Sequence, residues 1–159
     1  LYKLEGETQT KFNIFHVVVG ILPAGIFGLL FEDFIDNHLF SIETVIVGLL
    51  VGAIFMIIAD KLGPKNPTIN SLDDISYGKA FKIGIIQCVS LWPGFSRSGS
   101  TISGGVLLGL DHKMAADFTF IMAVPIMLGA SGLSLVKNWE AISMDHLSFY
   151  FVGFISEFD

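Results

Sequence analysis

Ser96, Arg97, Ser98, Ser100 and Thr101 fall within six positions, interrupted only by Gly99. An apolar run stops at Trp92-Pro93-Gly94 just before them, and a glycine-rich apolar pattern resumes just after. An arginine flanked by hydrophobic sequence is costly in or near a bilayer, and an ionisable residue there marks a functional site by default. Pro93 breaks the helix before it, because it lacks an N–H and clashes with the previous turn. Gly94 and Gly99 allow backbone shapes closed to other residues and let a ligand come close. Beyond Gly99, Ser100 or Thr101 is expected to cap a helix running to about Gly109. The free N–H groups and partial positive charge of a helix start form an anion site. Arg97 adds a planar fork of donors suited to two-point phosphate contacts, and the hydroxyls of Ser96, Ser98 and Thr101 can complete the shell. The pattern predicts a phosphate cradle at a helix start. It is not a P-loop, since no Gly-Lys-Ser/Thr follows the glycines. A plain interfacial turn with a snorkelling arginine leaves the density of hydroxyls unexplained.

The elements that must hold this stretch are membrane helices. The 159 residues are 52% hydrophobic and 15% charged, against about 25% charged in an average soluble domain. The apolar residues come in blocks long enough to cross a bilayer. The net charge of −6 lies in the loops and forms no basic face, which argues against a nucleic-acid partner. Cys88 is the single cysteine, so no internal disulfide or cysteine-based metal cluster is expected. The chain starts at Leu1 rather than Met and ends within an apolar run, and is expected to be an internal piece of a longer protein.

Taken in order, residues 1–11 read as a polar loop end. Residues 12–31 read as a membrane helix bent at Pro23, with His16 one turn in as an interfacial or hydrogen-bonded residue. Glu32 to Glu43 reads as a short, solvated acidic connection. Residues 42–59 form a second span, with Gly48 and Gly52 spaced for close helix packing. Asp60 to Tyr77 is a loop in which Ser71 and Asp74 resemble a capping box, so the Asp73-Asp74 pair is assigned to capping. Residues 78–110 are two short helices, Gly78 to Trp92 and Thr101 to Leu110, joined by the polar Gly/Pro turn. Such a pair reads as a re-entrant hairpin, whose irregular backbone is tolerated only where protein buries it or water reaches it. After a polar turn at Asp111 to Lys113, residues 115–136 form a further span kinked at Pro125. Lys137 to His146 is a polar loop, and residues 148–159 begin another span. His112 lies a helix length beyond Thr101, too far in sequence to be paired with it as a base. The connection between the first two spans has no Lys or Arg, whereas Lys3, Lys11, Lys61, Lys65, Lys79 and Lys82 flank their other ends. The positive-inside rule then puts the N-terminus and the 60–82 loop in the cytoplasm.

The run Pro93-Gly94-Phe95-Ser96-Arg97-Ser98-Gly99-Ser100-Thr101 resembles the PGxSRSxxT signature of the undecaprenyl-diphosphate phosphatase (bacitracin resistance protein) family. Leu22-Pro23-Ala24, Gly28 to Phe31, Leu72-Asp73-Asp74, Ala80-Phe81, Gln87-Cys88, Ser103-Gly104-Gly105 and Phe120 to Pro125 extend the similarity over nearly the whole chain. The resemblance implies an all-α integral membrane protein: a helical bundle of two inverted repeats, each with a re-entrant helix-loop-helix. It implies hydrolysis of undecaprenyl diphosphate to the monophosphate carrier of peptidoglycan synthesis, and with it bacitracin resistance, in a multi-pass protein of the bacterial plasma membrane. By motif position, Arg97 would bind the diphosphate and stabilise charge on the transferred phosphoryl group. Ser96 and Thr101 would bond phosphate oxygens, and Ser98, Gly99 and Ser100 would shape the loop. Gln87 stands where the other repeat has a Glu. The resemblance also implies a divalent cation, Mg²⁺ or Ca²⁺, whose ligands, like the nucleophile or base, are expected in a segment preceding this one. The partners implied are the polyprenyl diphosphate and membrane lipids, with a homo-oligomer left open. A transporter or flippase of a phosphorylated polyprenyl lipid could use the same cradle without chemistry. A structural subunit would leave the Ser-Arg-Ser cluster without a role.

Overall fold

Asn13 stops the incoming chain and starts the first helix. Its side chain accepts from the Phe15 N–H, while the buried His16 ring returns a contact to the Asn13 N–H through Nδ1. The computed structural model describes residues 11–137 and 147–156, so the expected polar stretches over 1–10 and 138–146 and the last residues 157–159 lie outside the described residues. Among the described residues seven α-helices follow one another: α1 (Ile14–Leu30), α2 (Glu32–His38), α3 (Ile42–Leu62), α4 (Tyr77–Gln87), α5 (Arg97–Leu107), α6 (His112–Lys137) and α7 (Leu147–Ser156). Among the described residues there is no strand beyond one bridge between Ile69 and Leu110. The all-helical expectation holds. α3 and α6, at 21 and 26 residues, are long and apolar enough to cross a membrane.

Several local expectations are corrected. The acidic connection after α1 is not a loop. Residues 32–38 form α2, bent by 65° from α1. Glu32 and Asp33 sit in its first turn and His38 in its last, the arrangement the helix dipole favours. α1 has 17 residues, about 26 Å at ~1.5 Å per residue, so it crosses a hydrocarbon core only if α2 continues it. Ser71 accepts from the Asp73 N–H, but it caps a single 3₁₀ turn over Leu72–Asp74; the long helix starts later, with Ser76 as its cap. The first leg of the hairpin ends as an α-helix at Gln87, and Cys88–Leu91 tighten into a 3₁₀ turn. α6 begins at His112 rather than Ala115, because Asp111 accepts from the Lys113 N–H.

The chain divides into two compact units, residues 1–124 and 125–159. In the first, glycines set which helices touch. A methyl group on Gly84 would meet the Gly20 carbonyl, so α1 and α4 cross at backbone contact and run in the same direction, with Asn13 beside Tyr77 and Gly28 beside Leu91. α3 and α5 likewise run together: Gly48 faces Pro93, Gly52 faces Phe95, Met56 faces Gly99 and Gly63 faces Val106. α4 and α5 are the antiparallel legs of the hairpin, with Ile86 against Gly104. Its base is tied by the Thr68 and Ile69 N–H groups donating to the Gly109 carbonyl (3.0 and 3.1 Å) and by Asp111 N–H donating to Ile69. α1 is fastened to that base where Phe12 N–H donates to Asp73 (2.8 Å) and His16 stacks on Tyr77 at 3.9 Å. The second unit holds the end of α6, which continues as helix through Pro125, and α7.

Candidate functional site

α5 begins at Arg97, four residues before the Thr101 start that its hydroxyls alone predict. Ser96, not Ser100 or Thr101, is its N-cap, and its Oγ accepts from the Gly99 N–H at 3.1 Å. Ser100 and Thr101 are turned inward instead. They are 0% and 1% exposed, and both hydroxyls donate back to the Arg97 carbonyl, at 2.8 and 3.0 Å. Thr101 Oγ1 also accepts from the buried Thr119 of α6 at 3.0 Å. Short polar side chains in a helix start can bond the backbone in this way; here it lets apolar helices pack against the rear of the turn.

The motif is therefore split by depth. Ser96 is exposed, and Arg97, Ser98 and Gly99 are half-buried at the open end of α5. Ser96 Oγ and Ser98 Oγ stand 3.5 Å apart. Among the described residues, nothing hydrogen-bonds to or ion-pairs with the Arg97 guanidinium, and the Arg97 and Ser98 N–H groups have no acceptor. A cation, two helix-end N–H groups and two hydroxyls thus share one turn, which is the donor set an anion requires. Gln87, 3% exposed, lies behind the 3₁₀ turn at the end of α4, where its carbonyl accepts from Ser90 at 2.6 Å.

What holds this turn is the face of α3. Gly94 has φ +89°, a region that favours glycine, and a Cβ there would run into the Val45 carbonyl. Trp92 Nε1 donates to the Thr44 carbonyl at 3.0 Å, and Phe95, 5% exposed, lies over Gly52 and beside Phe55. Both legs leave from the end where α3 finishes, and the start of α5 lies alongside residues 52–56, near the middle of the ~31 Å of α3.

Sequence reasoning missed Thr119, whose signal was a lone hydroxyl in the run Phe118 to Val124. It also missed the pairing of His112 Nε2 with Asp60 Oδ1 at 3.2 Å, which only the parallel course of α3 and α5 brings about. The described residues gather no group of three His, Cys, Asp or Glu side chains. By themselves they do not fit the cation that the resemblance implies.

The sequence profile of the family described as bacitracin resistance protein BacA matches residues 2–158. Among curated relatives, an undecaprenyl-diphosphatase of Exiguobacterium sibiricum is 66% identical over 99% of this chain and 58% of its own length. One from Anoxybacillus flavithermus is 59% identical over 99% of this chain and 58% of its own. One from Staphylococcus aureus is 61% identical over 93% of this chain and 51% of its own. The chain spans about half the length of the curated relatives it matches.

Proposed function

The chain belongs to the bacitracin resistance protein BacA family, and from that premise we propose that it is the diphosphate-binding part of a membrane phosphatase acting on undecaprenyl diphosphate. The observation that carries this is the Arg97 guanidinium, without a partner among the described residues, at the capped start of α5, halfway along a membrane-length helix. Arg97 and the first N–H groups of α5 hold the diphosphate oxygens. Water attacks the terminal phosphorus, the bridging P–O bond breaks, and lipid monophosphate, inorganic phosphate and one proton result. Charge builds on the phosphoryl oxygens as this bond breaks, and fixed donors already aimed at them lower the barrier. Ser96 and Ser98, at the open end of the turn, bond the same oxygens. Ser100 and Thr101 hold the turn from behind.

A polyprenyl substrate explains why the cradle stands within the membrane span. Re-entry of the α4–α5 hairpin from the cytoplasmic face of the bacterial plasma membrane is part of this reading, supported by its base lying at the end of α3 beside Lys61, Lys65 and Lys79. So is a divalent cation, Mg²⁺ or Ca²⁺, with ligands from parts of the whole protein other than the described residues. The test is phosphate release from undecaprenyl diphosphate by the whole protein in detergent, beside an Arg97→Ala variant. Release by the first and not the second is expected. A folded parent that moves the lipid across a bilayer without releasing phosphate would replace hydrolysis by transport.

A further inference from the structure

A cleft of about 260 Å³ opens beside the cradle, between Met56 and Asp60 of α3 and Gly99, Ser103 and Val106 of α5, with His112 at its outer end. Gly99 belongs to the first turn of α5, and Val106 lies seven residues further, so the cleft follows α5 for about 10 Å. Its outer end is the polar one. Asp60 and His112 pair there, 73% and 64% exposed, one residue from Lys61, where α3 leaves the span. Midway stands Ser103, only 8% exposed. Ser100 and Thr101, on the same helix, donate to a backbone carbonyl one turn back. The Ser103 hydroxyl does not, and it has no hydrogen-bond partner among the described residues. Its oxygen is not fully buried, since His16 Nε2 is the one buried side-chain polar atom without a partner among the described residues; an unpartnered hydroxyl at membrane depth is relieved where a protein-lined cavity holds water. The space is large enough for several waters.

We infer that this cleft is a water conduit, which connects the start of α5 to the aqueous face at the Asp60–His112 end, with Ser103 as the residue that positions water along it. Resting on the phosphatase reading, the conduit delivers the water that each turnover consumes and carries away the proton that each turnover releases. The Met56 side chain is packed so closely on Gly99 that a methyl there would strike its sulfur.

The experiment uses the full-length protein in proteoliposomes, with Cys88 and any other cysteine replaced and a single cysteine introduced as Ser103→Cys. A membrane-impermeant thiosulfonate should label it at least about tenfold faster than a cysteine at Ile46, which is 50% exposed on the apolar face of α3. Equal, slow labelling of the two would overturn the conduit. Filling the cleft by Ser103→Ile should lower kcat about tenfold with KM unchanged, and full kcat in a folded Ser103→Ile protein would equally overturn it. Labelling needs no activity, so rapid labelling in a protein that releases no phosphate would remove the phosphatase reading and leave the conduit standing.

Discussion

In the proposed phosphatase, Arg97 is the residue on which the chemistry turns, and its geometry separates a fork from a charge. An ammonium keeps the charge but loses the planar pair of N–H donors. Arg97→Lys should therefore lower kcat/KM for polyprenyl diphosphate by roughly 100-fold, the size of one lost oxyanion donor. Near-parental kinetics in Arg97→Lys would show that charge alone suffices. Thr101 belongs to a different class of residue. Its hydroxyl is spent inside the fold, between the Arg97 carbonyl and Thr119. Thr101→Val leaves the Thr119 hydroxyl without its acceptor and should cost about 1–3 kcal/mol of stability. The double variant Thr101→Val, Thr119→Val should regain part of that loss in thermal unfolding. A double variant with parental stability and no activity would return Thr101 to the substrate. The polar cluster was legible in the sequence, because the types and spacing of its residues are unusual in an apolar context; that it cradles a phosphate belongs to the proposal. The sequence did not reveal which hydroxyl faces out. That depends on where the helix begins, and Ser96, Ser100 and Thr101 are all acceptable caps by residue type.

At the scale of elements, the cradle is placed by how deep the hairpin is driven along α3. That depth depends on glycines. Gly48 and Gly52 were legible as a small-residue face; their partner was not, because it is the hairpin turn and not another spanning helix. The α2 helix was hidden for a related reason: its acidic composition reads as a loop, while the stacking of Phe34 on His38 at 4.7 Å and the dipole-matched ends favour a helix. A Cβ at position 94 would need a left-handed backbone, at roughly 1 kcal/mol or more, and would also collide with α3. Gly94→Ala should thus lower the melting temperature in detergent and abolish phosphate release together, since the turn can only retreat from Val45. Gly129→Ala is the matching control. Nothing lies within 4 Å of a Cβ there, so the change should be neutral or stabilising by up to about 1 kcal/mol. An unaltered melting point and rate in Gly94→Ala would show that the turn is not seated by this contact.

For the whole molecule, the question is what the described residues can do by themselves, when the curated relatives they match are about twice as long. The described residues bring a cation, two free N–H groups and two hydroxyls into one turn, the donors that the proposal assigns to a diphosphate. Among them, no carboxylate or imidazole bonds to Arg97, Ser96 or Ser98, and no three ligands gather for a metal. Binding and bond breaking are therefore expected to separate. Residues 1–159, purified in detergent, should gain thermal stability from a soluble short-chain prenyl diphosphate, and that gain should vanish in Arg97→Ala. The same preparation should release no phosphate. Co-expression with the part of a full-length relative that this chain does not span should restore release if, as proposed, the acid or base lies there. Phosphate release by residues 1–159 alone, lost on Arg97→Ala, would mean that the nucleophile lies within this chain after all. The Asp60–His112 pair would then be the first group to replace, since it is the only imidazole–carboxylate pair among the described residues and it opens onto the cleft that ends at Gly99.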